Sequence, residues 1–239
     1  VSQEIEVDVL PIPGDPTAVG DTVALGGMAE LTAVGANLAW YDQEVGGTPI
    51  GYGNNFTTDI IDESQLFYVE DRNVTDGIAG EVGMTDHNGT DYSGNLNSNN
   101  QLIFDALLPF TLDSVKVYTD FPGERKILLL DANGSELNSA VIDVPDGETM
   151  VYVGMEIPEG IDLVMTTDAA TNQVSLSVNG PRLKRSSQGV NYPYDFQDYA
   201  SLKSSNFGEG WYYYFYDWEI STPSIVCPGE RVPVEVWLD

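Results

Sequence analysis

The chain has 239 residues, room for two ordinary domains each with its own core, and its 42% hydrophobic and 10% aromatic content is that of a folded protein. Nine Lys and Arg face 38 Asp and Glu, a formal net charge of -29, which repels nucleic-acid phosphate and anionic lipid. Such a surface suits a solvated extracellular protein, a saline habitat or a calcium binder, plain solvation being the simplest reading.

Val1 to Val9 alternates apolar and acidic residues, as a half-buried strand does, and Pro11-Ile12-Pro13-Gly14-Asp15-Pro16 then breaks it. The opening lacks the charged and apolar regions of an export signal, so any such signal is expected upstream. Short strands are predicted at Thr22–Leu25, Met28–Ala33, Asn37–Tyr41, Phe56–Ile60 and Gln65–Glu70, separated by glycine turns. That spacing, with Trp40 in a central strand, predicts a sandwich. Asp71 to Asn100 is poor in apolar residues and reads as a long loop or crossover.

Strands resume at Leu102–Ala106, Leu112–Thr119, Lys126–Asp131, Ser139–Val144, Met150–Ile157, Asp162–Thr167 and Gln173–Val178, with a hairpin turn of the Asn-Gly type at Asp131–Ser135. The last long strand is predicted over Trp211–Ile220, and the region reads as a jelly-roll-like sandwich. Helical periodicity is absent, as is any run of about 18 apolar residues, so no membrane-inserting segment is expected. Arg231 to Asp239 repeats the acidic alternation of Ser2 to Leu10, which suggests one period of a tandem array with neighbouring repeats of the same polypeptide as partners.

Four residue groups carry candidate chemistry. In the aromatic run, strand alternation places Tyr212, Tyr214, Tyr216 and Trp218 on one face and Trp211, Tyr213, Phe215 and Asp217 on the other; one face fills a core, and the other either packs against the chain or stacks on sugar rings. The segment Arg182, Lys184, Arg185, followed by Tyr192 and Tyr194, suits an anionic glycan or pairs locally with Asp195 and Asp198. Asp86, Asn88 and Asp91 offer hard oxygen ligands on a glycine-containing loop, and Asp105 and Asp217 sit on strands that can approach each other, so calcium is the candidate cofactor. Cys227 and His87, one of each, allow no internal disulfide and read better as structural than as a catalytic pair. No nucleophile motif, zinc spacing or phosphate loop is present, and the acids are too many for any pair to be informative, so the chain is expected not to be an enzyme. The Asn-x-Ser/Thr sequons read as coincidence, while Asp21-Thr22-Val23 and Asp113-Ser114-Val115 match a short O-glycosylation pattern.

The stretches Ala29–Ala33, Leu38–Asp42, Gly46–Ile50, Phe56–Thr58 and Phe67–Glu70 together resemble the Ig-like modules of large secreted Bacteroidota proteins. In that family a Cys and an Arg-x-Pro-Val-x-Val strand follow soon after; here Cys227 and Arg231–Val236 match them about 150 residues later. Leu102–Ala106, Phe110–Tyr118, Gly189–Tyr194 and Tyr213–Glu219 resemble a jelly-roll module of the same proteins. The resemblance implies an all-β chain, an Ig-like β-sandwich (residues 11–75 and 222–239) with a jelly-roll-like β-sandwich inserted at 76–221, and residues 1–10 belonging to the preceding repeat. It also implies type IX export to the cell surface and a role as a structural or adhesive bead, with a carbohydrate-binding module as the alternative.

Overall fold

The computed structural model describes residues 11–89, 92 and 95–239, so the strand expected at Val1–Val9 and the candidate ligand Asp91 lie outside the described residues. In chain order the strands are β1 (Thr17–Val19), β2 (Asp21–Val23), β3 (Gly27–Val34), β4 (Ala39–Tyr41), β5 (Gly51–Tyr52), β6 (Asn55–Ile61), β7 (Gln65–Glu70), β8 (Arg72–Thr75), β9 (Ala79–Val82), β10 (Leu102–Ala106), β11 (Phe110–Thr119), β12 (Gly123–Leu130), β13 (Glu136–Val144), β14 (Gly147–Ile157) and β15 (Gly160–Thr167). One helix, α1 (Ala169–Leu176), precedes β16 (Tyr194–Phe196), β17 (Ala200–Ser205), β18 (Tyr216–Ser221), β19 (Ile225–Pro228) and β20 (Val232–Leu238). The fold is all-β, in two compact units: one ends at Asp76 and resumes at Ser224, the other is Gly77–Pro223.

In the first unit a three-stranded sheet, β1-β3-β6, and a five-stranded sheet, β2-β20-β7-β4-β5, enclose one core. Period-two patterning sets the faces: Ala29, Leu31 and Ala33 of β3 point in, as do Val234 and Val236 of β20. Trp40 is fully buried, stacks on Phe56 at 5.6 Å and donates its indole N–H to the Gly53 carbonyl at 2.8 Å. The sheet is completed by β20, which lies beyond the whole second unit in sequence and pairs antiparallel with β7 and parallel with β2. The strands leading out of and back into this unit, β8 and β19, pair with each other from Arg72↔Pro228 to Thr75↔Ile225.

In the second unit a six-stranded sheet, β13-β12-β15-β10-β17-β16, faces a four-stranded one, β14-β11-β18-β9, every pairing antiparallel. Consecutive strands cross between the sheets: β9 lies in the smaller, β10 in the larger, β11 in the smaller, the β12–β13 hairpin in the larger, β14 in the smaller and β15 in the larger. The edge-to-face contact of Phe104 on β10 with Trp218 on β18, 5.2 Å between centroids, lies in the common core. A bulge at Asp113–Ser114 resets the alternation of β11, so that Leu112 and Val115, three apart, both point inward.

Three expectations are corrected. The strand expected at Gln173–Val178 falls largely within α1, because Asp168 caps that helix: its carboxylate accepts from the Thr171 amide at 2.7 Å, and Ser177 closes the helix in the left-handed conformation. Asp71–Asn100 contains β8 and β9, two short strands whose partners lie more than a hundred residues ahead. The expected strand Trp211–Ile220 pairs as β18 only from Tyr216; before it, Tyr212 makes a lone bridge to Ser186.

Candidate functional site

The aromatic run does not alternate. Tyr212, Tyr213, Tyr214, Phe215, Tyr216 and Trp218 are all buried, so side chains of both parities enter the core. Of the two alternatives left open for this run, the burial fits packing against the chain and leaves Tyr212, Tyr214 and Trp218 no exposed face for stacking on a sugar. What is corrected is the alternation, because outside a regular sheet the backbone no longer sends alternate residues to opposite sides. Their polar ends are satisfied internally. Tyr212 Oη and Trp218 Nε1 donate to the Phe215 carbonyl at 2.9 and 2.7 Å, Tyr216 Oη meets Ser186 Oγ at 3.0 Å, and Tyr214 Oη accepts from the Asn100 amide at 3.1 Å. Burial pushes the Tyr212 and Tyr216 phenols well above their ordinary value, and Tyr214 up to about 12. Tyr192 and Tyr194, expected to reach ligand, pack on this cluster, with ring centroids 5.8 and 5.6 Å from Tyr212.

Arg182 and Arg185 diverge. The Arg182 guanidinium carbon lies 4.0 Å from the Phe121 ring centroid and 4.6 Å from that of Tyr92, with Lys184 paired to Asp120 beside them at 3.5 Å. Arg185 stacks on Trp211 at 4.0 Å and donates from Nη1 to Tyr213 Oη at 3.0 Å, while its Nε is buried without a hydrogen-bond acceptor. The local pairing expected with Asp195 and Asp198 is not formed: among the described residues neither arginine makes an ion pair, and Asp195 instead accepts from Ser201 Oγ at 2.6 Å. Trp211 and Phe207 flank Tyr213, each 6.4 Å from its ring, and Phe207 is 63% exposed on a turn. Sequence reading passed over Phe207, although Asn206-Phe207-Gly208-Glu209-Gly210 marks it as a turn-borne aromatic.

The acidic candidates face lysines. Lys116 Nζ bridges Asp217 at 2.8 Å and Asp86 at 3.2 Å. Burial works against the Lys116 charge, but the two carboxylates outweigh it and raise its pKa. The Lys116 and Tyr118 hydrogen bonds hold Asp86 below the usual carboxylate value. Asp105 meets Lys203 at 2.6 Å, and Lys203 also meets Asp162 at 2.6 Å. Asp105 and Asp217 thus lie on strands of different sheets, each with its own lysine, and no three His, Cys, Asp or Glu side chains among the described residues gather as a metal-holding group. Asn88 is held through its amide by Ser186 Oγ at 2.7 Å. Cys227 lies on β19 of the first unit and His87 in the second, where its ring packs against Tyr118 and Tyr216. Among the described residues no helix is long and apolar enough to cross a membrane.

No curated protein and no solved structure matches the chain. Residues 13–80 match the family model described as Ig-like domain, CHU_C associated, so the match covers β1 to β8, and the sheet containing those strands is completed by the distant β20.

Proposed function

We propose that the chain is a non-catalytic structural and adhesive bead of a large secreted bacterial surface protein, strung between neighbouring repeats of the same polypeptide. The observation that carries this reading is the burial of all six aromatic rings from Tyr212 to Trp218: the richest chemical feature of the sequence holds the second unit together. The Ig-like match supports a Bacteroidota-type surface module, and export by the type IX route belongs to the same proposal. The crossing of consecutive strands between sheets supports a jelly-roll-like identity for the inserted unit. An Ig-like all-β fold typically serves as scaffold rather than catalyst, since function has to be argued from a site.

A second reading rests on Arg185, Trp211 and Phe207. A guanidinium that pairs with no carboxylate among the described residues, in a chain of net charge -29, stacked on a partly exposed indole near an exposed phenylalanine, suits a sugar ring bearing a carboxylate or sulfate. One experiment separates the two. Neutral and acidic glycans are arrayed and probed with the intact chain and with Trp211→Ala. The bead reading expects no saturable binding. Saturable binding to acidic glycans that the variant loses replaces it with the glycan module.

A further inference from the structure

The pairing of β2 with β20 has a mechanical consequence. These strands run parallel, Asp21↔Val236, Thr22↔Trp237 and Val23↔Leu238, and the Asp239 amide adds a bond to the Val23 carbonyl at 3.0 Å. Tension that pulls residues before β2 one way and residues after β20 the other slides the two strands along each other. All the pairs then share the load and must fail together. The second unit, about 150 residues, is spliced into the chain between β8 and β19, both covalently inside that clamp.

We propose that the β2–β20 pair carries end-to-end tension past the second unit, which bears no load until β20 is torn from its sheet. This inference rests on the bead reading for its biological use, but the mechanical statement stands on strand order alone. Shielding matters because the second unit is built to open easily from its ends. Its first and last segments pair antiparallel, Ala79↔Ser221 through Val82↔Trp218, with Thr222 donating to the Ile78 carbonyl at 2.9 Å. Tension on Gly77 and Pro223 breaks that ladder one pair at a time, and the β8–β19 ladder presents the same geometry. The clamp fails in shear and the insert by unzipping, so the weaker element sits behind the stronger one.

The test is single-molecule pulling of the whole chain from handles at its two ends, in a Cys227→Ser background. A first rupture is expected to release the first unit. A second event, at lower force, then releases about 500 Å from the insert, at about 3.5 Å per residue. A disulfide built from Ala79→Cys and Ser221→Cys closes the insert at its base. With the bridge oxidised, the 500 Å release disappears while the first rupture force stays equal to that of the reduced protein. Val23→Pro, which removes a donor from β2, is expected to lower the first rupture force by roughly a third, one register pair in three. Melting of the second unit is followed alongside to show that the insert still folds. If Val23→Pro prevents folding of the first unit, the oxidised–reduced comparison carries the test alone. A first rupture force that rises on oxidation, or a 500 Å release that precedes the first-unit rupture, overturns the proposal. Either result leaves the glycan experiment, and with it the bead reading, untouched.

Discussion

The Arg231 guanidinium carbon lies 3.3 Å from the centroid of the Tyr41 ring. The same guanidinium donates from Nε to Glu70 at 3.2 Å and from Nη1 to the carbonyls of Gln43 and Gly46 at 2.7 and 2.8 Å, while Tyr41 Oη donates to the other Glu70 oxygen at 2.6 Å. Arg231 directly precedes β20, so the returning chain is fastened at once to β4, to β7 and to the loop after β4. Desolvation and the Glu70 carboxylate both raise the Tyr41 pKa, which keeps the phenol a donor.

Removing that side chain takes the ion-pair partner from the Glu70 carboxyl, 5% exposed, and leaves it the Tyr41 hydroxyl alone. Arg231→Ala is expected to destabilise the first unit by about 3 kcal/mol or more, the usual cost of breaking a buried ion pair from one side. Arg231→Lys recovers only part of it, because an ammonium cannot stack on Tyr41 and fork to two carbonyls together. Urea unfolding of the three proteins checks the order; equal stability of wild type and alanine variant contradicts it.

Alkali is expected to unfold the second unit through its tyrosines. In the folded state burial raises the Tyr212, Tyr214 and Tyr216 pKa values above the model-peptide 10.0, so folding favours the protonated phenols. Stability from these groups is complete below pH 10 and falls as pH climbs from there through the raised folded values. Tyr214 alone, pushed up to about 12, represents about 3 kcal/mol. The check is tyrosinate absorbance against circular dichroism: the buried phenols are expected to ionise together with loss of structure, and ionisation of every tyrosine in a still-folded chain refutes the assignment.

Strand alternation was legible wherever one face of a sheet meets the core. Gln65–Glu70 and Leu102–Ala106 are strands as read, and Met28–Ala33 lies inside β3. Three things defeated the pattern. The helix α1 is eight residues long with one fully buried side chain, Asn172, so only its Asp168 cap announces it. β8 and β19 are four-residue strands whose pairing spans the whole insert, and local composition carries no signal for that. Tyr212 to Tyr216 is aromatic at every position, with no polar–apolar alternation to choose a face, and the structure buries all five. The basic residues stand out as a group in the sequence, but their partners do not, because Phe121 and Trp211 meet Arg182 and Arg185 from segments outside the strands.

Calcium is best tested against lysine. Asp217 and Asp86 share Lys116, and Asp105 shares Lys203 with Asp162, so a cation has to displace an ammonium held within about 3 Å. Calcium at a concentration equal to its dissociation constant stabilises by only about 0.4 kcal/mol, or about 1 °C for a unit of this size. At fixed ionic strength, which holds constant the self-repulsion of a -29 chain, 1 mM calcium is expected to move the melting temperature by no more than about that, relative to EDTA. A larger rise that Lys116→Ala enlarges further places calcium between Asp86 and Asp217.

Arg125 is the clearest case in which two large effects oppose each other. It is fully buried on β12, and its guanidinium donates to the carbonyls of Pro181 at 2.6 Å, Phe121 at 2.7 Å, Gly123 at 2.8 Å and Glu124 at 3.3 Å. Burial lowers its pKa to about 10, so the buried charge itself costs about 3 kcal/mol. Arg125→Met removes that cost but leaves up to four carbonyls without a donor, at about 1–3 kcal/mol each. The orphaned carbonyls outweigh the relieved charge, and the variant is expected to lose a few kcal/mol. The loss should appear as faster hydrogen exchange along β12 and β15, with the first unit unchanged. A stabilised methionine variant would mean that water takes over the carbonyls and that the charge, not its hydrogen bonds, dominates the position.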